Sequence, residues 1–388
     1  MSSGEVAATV AREGLKGDLA LVLSGGGARA AYQAGVVRGL ARQIPGLRFP
    51  IITGVSAGAI NATFLASHPG SLLEAAENLC ELWGRLQFDG VFRLNLPALA
   101  RYFARWAARL AAGGMPSAPE VHGFVDTRPL HATIQRGAAT VDGELVSIQR
   151  NLDRGTLKAI ALTALNYSTG QTVTWVQGSH MKPWKEPQHR TAGARLSVEH
   201  VMASAALPLF FPAVRLGDSW YGDGGIRLST PLSPAIHLGA TRILALSPRY
   251  EPSEEEANRH KVSGYPMPAQ ILGHLMDAVF LDVLDEDVRR LEHTNTLLAK
   301  LPPEDRGGLR PVDIRVLRPS QDLAELAIAY EPRMPTALRY LTRSLGTRPG
   351  EPSDFLSMLM FEPDYLRMLS DLGEADATAR LEEVLKLV

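Results

Sequence analysis

The chain has a single cysteine, Cys80, in 388 residues, so an internal disulfide framework is excluded. No uninterrupted apolar run is long enough to span a bilayer, and residues Met1 to Lys16 contain no apolar core of a secretory signal. The expectation is a cytoplasmic protein, at most peripheral at a membrane. The formal net charge is only −1 at pH 7, which removes the electrostatic reason for a nucleic-acid partner. Internal repeats and low-complexity tracts are missing as well. Two further absences bear on chemistry: no Asp or Glu occurs between Gly25 and Leu73, and no histidine precedes His68.

What is present begins with two strand-loop-helix units. The first runs from the apolar stretch Asp18–Ser24 through Gly25-Gly26-Gly27-Ala28-Arg29 into an Ala/Gly-rich helix pattern from Ala30 to Leu40. A glycine loop at a helix N-terminus offers free amides and the positive end of the helix dipole to an anion. As a dinucleotide fingerprint the loop fits G-x-G-x-x-A, but the acid that would hold a ribose hydroxyl is among the missing residues. A tight turn without a ligand and an oxyanion hole built from Gly25, Gly26 and Gly27 are the other readings.

The second unit favours the oxyanion reading. Phe49–Val55 is a buried-strand pattern, Ala57–Ala66 a helix pattern, and Gly54-Val55-Ser56-Ala57-Gly58 lies between them. A serine at such a junction is held in a strained turn with its hydroxyl exposed, and Gly54 and Gly58 remove side chains that would collide there. Ser56 is the candidate nucleophile. Further along, Asp223-Gly224-Gly225 follows the short strand pattern Ser219–Gly222 and places a carboxylate at a strand end; alone, it also reads as a surface turn.

Together these stretches resemble the patatin-like phospholipases, from about Leu19 to about Ser247. Asp126-Thr-Arg-Pro-Leu130, Ala203-Ser-Ala-Ala-Leu-Pro208 and Pro231-Leu232 look like the bacterial branch of that family. Ala30 stands where the family's loop ends in glycine, and Thr230 where Asn is usual before the proline. The resemblance implies a Ser-Asp dyad in which Ser56 attacks, Asp223 is the base and Gly25–Gly27 form the oxyanion loop, with Gly54 and Gly58 around the nucleophile and Gly224 and Gly225 after the base. It implies lipid acyl esters as substrates, of phospholipase A or lysophospholipase type, with no cofactor and no metal. A conventional triad through a late histidine such as His237 or His260 is not excluded by chain order. The alternative from another class is a lipid-binding or regulatory protein of the same fold with little turnover. Arg29 either shapes the glycine loop or meets a substrate phosphate.

The expected fold is α/β: a three-layer, mainly parallel sheet with helices on both faces and a C-terminal helical region. Residues 1–17 read as an N-terminal extension and 18–248 as the catalytic domain. A lid or cap lies at about 84–124, and 249–388 read as a mainly helical extension packed on the domain. Within the cap, Leu96–Leu110 is expected to form a helix with an aromatic face and a row of Arg101, Arg105 and Arg109, suited either to a membrane surface or to core packing. Gly113–Pro119 reads as a mobile connection. In the extension, Ala269–Lys300 is expected to be a long helix and Arg310–Leu317 a last strand of the main sheet. The cluster Met358-Leu359-Met360-Phe361 suits core packing, or contact with lipid or a partner.

Overall fold

The computed structural model describes residues 18–94, 125–178 except 139 and 142, 184–258 except 187 and 209, 282–344 and 350–388, with isolated positions at 104, 105, 108, 271, 275 and 278. The N-terminal extension, most of the Leu96–Leu110 segment, Gly113–Pro119, His260 and most of the stretch from Ala269 to Phe280 lie outside the described residues.

Ten strands make one sheet: β1 (Asp18–Leu23), β2 (Ile51–Val55), β3 (Ala159–Asn166), β4 (Gln171–Gly178), β5 (Lys185–Glu186), β6 (His189–Gly193), β7 (Val214–Leu216), β8 (Ser219–Asp223), β9 (Ala240–Leu246) and β10 (Asp313–Leu317). The order is β10-β9-β1-β2-β3-β4-β6-β5, with β8 paired to β3 and β7 paired to β8. From β10 to β3 every neighbour is parallel, and β3 to β4 is antiparallel. β1 alternates between two apolar clusters: Leu19, Leu21 and Leu23 face one, Ala20 and Val22 the other. A strand buried on both faces reads as a continuous apolar run, and two helical layers must cover it.

The helices that build the site are α1 (Ala30–Gln43), α2 (Ala57–Ser67), α3 (Leu72–Arg85), α4 (Arg128–Gly137), α5 (Val198–Ser204), α6 (Val283–Leu298), α7 (Asp354–Met358) and α8 (Pro363–Ala379). Residues of α1 to α5, α7 and α8 share one cluster, while Leu284 and Val288 of α6 and Ala235 cover the other face. Helix α3 starts with a capping box: the Ser71 hydroxyl accepts from the Glu74 amide at 3.2 Å and the Glu74 carboxylate accepts from the Ser71 amide at 2.7 Å. Its buried residues Ala76, Leu79, Cys80 and Trp83 recur at helical spacing.

The C-terminal part of the chain is built into this body. β10 extends the sheet beside β9 in parallel register. Helix α8 lies against α1 so closely that a Cβ on Gly35 would come within 1.8 Å of the Ser370 carbonyl oxygen, and one on Gly373 within 2.2 Å of that of Tyr32. Where a helix from Ala269 to Lys300 is expected, α6 starts only at Val283, after a bend at Asp282, and ends at Leu298. Met358, Leu359, Met360 and Phe361 are buried. No helix among the described residues is long and apolar enough to cross a membrane.

Candidate active site

Parallel pairing sets Leu23 of β1 beside Gly54 of β2, so the loops that leave the two strands emerge side by side at the carboxyl edge of the sheet, where ligands of open α/β sheets bind. The first loop enters α1 through a short turn, Gly27–Arg29, with Gly27 at φ 57°. The amides of Gly25, Gly26 and Gly27 meet no acceptor among the described residues. Ala30 has ordinary helical angles and is fully buried, so its methyl points into the core and leaves the approach to the loop open.

The second loop is a single residue. Ser56 sits at φ 57° and ψ −131°, and among the described residues it is the only non-glycine with positive φ. Such a backbone costs about 1–3 kcal/mol and persists only where the surroundings fix it. Here the Ser56 amide donates to the Ser204 hydroxyl at 3.1 Å, and that hydroxyl donates to the Thr163 carbonyl at 2.6 Å. A Cβ at Gly58 would lie 2.2 Å from the Leu23 carbonyl oxygen, so glycine lets α2 start directly against the end of β1. Gly54 is equally confined, 2.5 Å from the Gly58 carbonyl oxygen by the same measure.

Asp223 reaches Ser56 through an unusual pairing. One edge of β3 is shared: β2 pairs with it in parallel from Ala159 to Thr163, and β8 pairs antiparallel from Ala164 to Asn166. The carboxyl ends of β2 and β8 therefore abut, Val55 opposite Thr163 and Asp223 opposite Ala164. Asp223 is fully buried. Its Oδ1 accepts from the Gly225 amide at 2.9 Å. The Ser56 hydroxyl interacts with the carboxylate, yet Oδ2 has no partner of full hydrogen-bond geometry; a loose contact of this kind is common before substrate arrives. Burial pushes the Asp223 carboxyl up to about 7, against the lowering effect of the Ser56 hydroxyl and the Gly225 amide. A Cβ on Gly224 would lie 2.2 Å from the Thr163 carbonyl oxygen, which keeps the turn after Asp223 against β3.

Ser56 opens onto a narrow cavity of about 60 Å³, walled mainly by Ile60, Trp83, Leu86, Leu130, Phe211 and Phe361. Gly26 and Gly27 line it beside Ser56, whereas Gly25 does not. No charged side chain and no histidine lines it among the described residues. His237 is on the surface, bonded to Ser233 and stacked on Trp184 with ring centroids 4.4 Å apart. Arg29 is also absent from the wall: it is 2% exposed and turned to the C-terminal part of the chain. Its Nε donates to the Ser357 hydroxyl at 2.7 Å and its guanidinium meets the Asp354 carboxylate at 2.5 Å.

Several contributors carried no motif. Ser204 lies in the Ala203–Pro208 stretch, where only a resemblance marked it. Asn61 donates to the Ala30 carbonyl at 2.9 Å and to Gln33 Oε1 at 3.0 Å, accepts from Trp83 Nε1 at 2.8 Å, and Gln33 donates to the Ser24 carbonyl at 2.9 Å. This fully satisfied chain ties α1, α2 and α3 to the glycine loop. Its one sequence signal is an amide in the otherwise apolar, buried start of α2.

Residues 21–236 match the family model described as patatin-like phospholipase. Among solved structures, human GIVD cytosolic phospholipase A2 is similar at 12% identity and a TM-score of 0.47, over 99% of this chain and 63% of that one. VipD from Legionella pneumophila is similar at 13% and 0.32, over 78% and 61%, and the type III effector ExoU at 14% and 0.34, over 94% and 53%. This chain spans less than two thirds of the length of each. No curated protein gives a match.

Proposed function

Because this chain belongs to the patatin-like phospholipase family, we propose that it hydrolyses acyl esters of lipids through a Ser56-Asp223 dyad and an acyl-enzyme. The carrying observation is a strained Ser56 at the foot of an apolar cavity, next to a buried carboxylate pushed up to about 7. An ordinary aspartate is too weak a base for an alcohol near neutral pH; desolvation strengthens it into the range where proton transfer is effective. The acyl chain lies along the apolar wall. Ser56 Oγ attacks the carbonyl carbon as its proton passes to Asp223, and the negative oxygen forms beside the amides of Gly26 and Gly27. Asp223 returns the proton to the departing alcohol. Water then attacks the acyl-enzyme, giving its proton to Asp223, and Ser56 leaves with that proton as the fatty acid is released.

Arg29 is assigned to loop support, since its guanidinium is paired away from the cavity. The apolar wall supports acyl chains over polar acyl groups. The test is labelling with a fluorophosphonate followed by peptide mapping. Covalent modification of Ser56, lost in Ser56→Ala, is expected; a folded protein that stays unlabelled, or is labelled elsewhere, overturns the reading and leaves a lipid-binding role.

A further inference from the structure

The glycine loop is held from behind by a segment more than 300 residues later in the chain. Arg29 belongs to the loop, Asp354 and Ser357 to α7. Besides the Asp354 carboxylate and the Ser357 hydroxyl, the Arg29 guanidinium approaches the Asp354 carbonyl at 3.4 Å, and Ser357 closes the set by donating to that carbonyl at 2.8 Å. At the same turn, the Met358 carbonyl oxygen presses on Gly27 so closely that a Cβ there would lie 2.3 Å away. Met358, Leu359 and Phe361 then continue into the cavity wall beside Gly26, Gly27 and Ser56. Asp354, Ser357, Met358, Leu359 and Phe361 all lie beyond residues 21–236, the part that matches the family model.

Resting on the dyad reading above, we infer that the segment Asp354–Phe361 is a working part of the active site, with Asp354 and Ser357 as positioning residues for the oxyanion loop and Met358 and Phe361 shaping the acyl wall. An oxyanion hole works only if its donors are already aimed where charge develops, and a displacement of the order of 1 Å can cost about 100-fold in rate. Among the described residues, the amides of Gly26 and Gly27 have no bond of their own to aim them. The Arg29 side chain, two residues on, carries the loop's tie to α7. Pairing with Asp354 also neutralises the guanidinium, so the loop presents backbone dipoles to the substrate while the cation stays in the second layer.

The positioning role differs from a merely stabilising one in what it changes. Asp354→Asn keeps the shape and removes the charge. At a temperature well below unfolding it is expected to lower kcat about 10- to 100-fold while KM stays within about twofold, because ground-state binding by the apolar wall is intact. Asp354→Glu should recover part of the loss. Combining Arg29→Gln with Asp354→Asn should cost no more than the worse single change, since both break one contact. Ser357→Ala, which leaves the ion pair, carries the same expectation at a smaller size and serves if Asp354→Asn fails to fold. A folded Asp354→Asn or Ser357→Ala with wild-type kcat overturns the inference. Wild-type protein that fluorophosphonate does not label at Ser56 overturns the dyad reading instead, so the two failures are separable.

Discussion

The two regions of this chain serve the site in different ways. Residues 21–236 supply every group the proposed chemistry uses: the glycine loop, Ser56 and Asp223. These are set by register, because the ends of β1 and β2 are adjacent and the ends of β2 and β8 abut on one edge of β3. The region from Ala240 onward supplies no candidate nucleophile or base. It supplies two strands of the sheet, the helix pressed on α1, the partner of Arg29 and part of the cavity wall. The lesson is that reactive groups and the shell that aims them need not be neighbours in sequence. The first region holds its own strained serine and dry carboxylate, and the second holds the glycine loop beside them.

The sharpest way to break this division is to remove a group from each region. Ser56→Ala should abolish hydrolysis by about a million-fold with the fold intact by circular dichroism, and Asp223→Asn should come close to it. No single substitution after residue 240 that leaves the fold intact should approach that loss. A folded Phe361→Ala or Asp354→Asn as inactive as Ser56→Ala would erase the distinction.

Stability should divide the other way. Gly35→Val forces a side chain into the Ser370 carbonyl and should cost about 4 kcal/mol or more, or prevent folding; thermal unfolding measures it. Asp223→Asn should do the opposite. A carboxyl raised from 3.8 to about 7 in the fold holds its proton in the folded chain at a pH where the unfolded chain has lost it. Its contribution to stability is thus fully present below pH 3.8 and lost as pH rises through about 7. The ionised group costs the fold on the order of 4 kcal/mol at alkaline pH, so the gain in melting temperature of Asp223→Asn should be larger at pH 8 than at pH 5. A gain independent of pH would mean that the carboxyl is not desolvated.

Smaller effects sharpen the account of the shell. Phe361→Ala should enlarge the acyl wall and shift preference toward bulkier or longer acyl groups by about 10-fold in relative kcat/KM, read from a series of soluble esters. Ser204→Ala removes the acceptor that holds the Ser56 amide and should cost about 1 kcal/mol of stability, with a fall in kcat of a few fold.

The legible part of the site was the part carried by local backbone geometry. A glycine run before a helix and a serine flanked by glycines at a strand-helix junction can be read from spacing, because a tight turn restricts which residues fit it. Asp223 was harder: Ser219–Gly222 reads as a strand, but its place beside β3 is a long-range pairing, so family resemblance nominated the carboxylate. Asp354 and Ser357 were invisible for the same physical reason. An ion pair 325 residues apart leaves no periodicity in either segment. The apolar run Met358–Phe361 signalled burial but not which wall it would form. The sheet itself was easier, since a strand buried on both faces, such as Leu19–Leu23, keeps a continuous apolar signature, and the edge strand Asp313–Leu317 keeps an alternating one.

The central claim is that a buried aspartate, with no histidine, is the base for Ser56. The most direct test is the pH dependence of kcat/KM for a soluble ester, measured on the wild type and on His237→Ala and His260→Ala, two histidines that chain order leaves open for a triad. The account predicts a single ionisation near pH 7, activity falling below it as Asp223 takes up a proton, and the same midpoint in every folded histidine variant. A midpoint that moves or vanishes with one histidine, together with a loss of activity equal to that of Asp223→Asn, would contradict it and put a triad in its place.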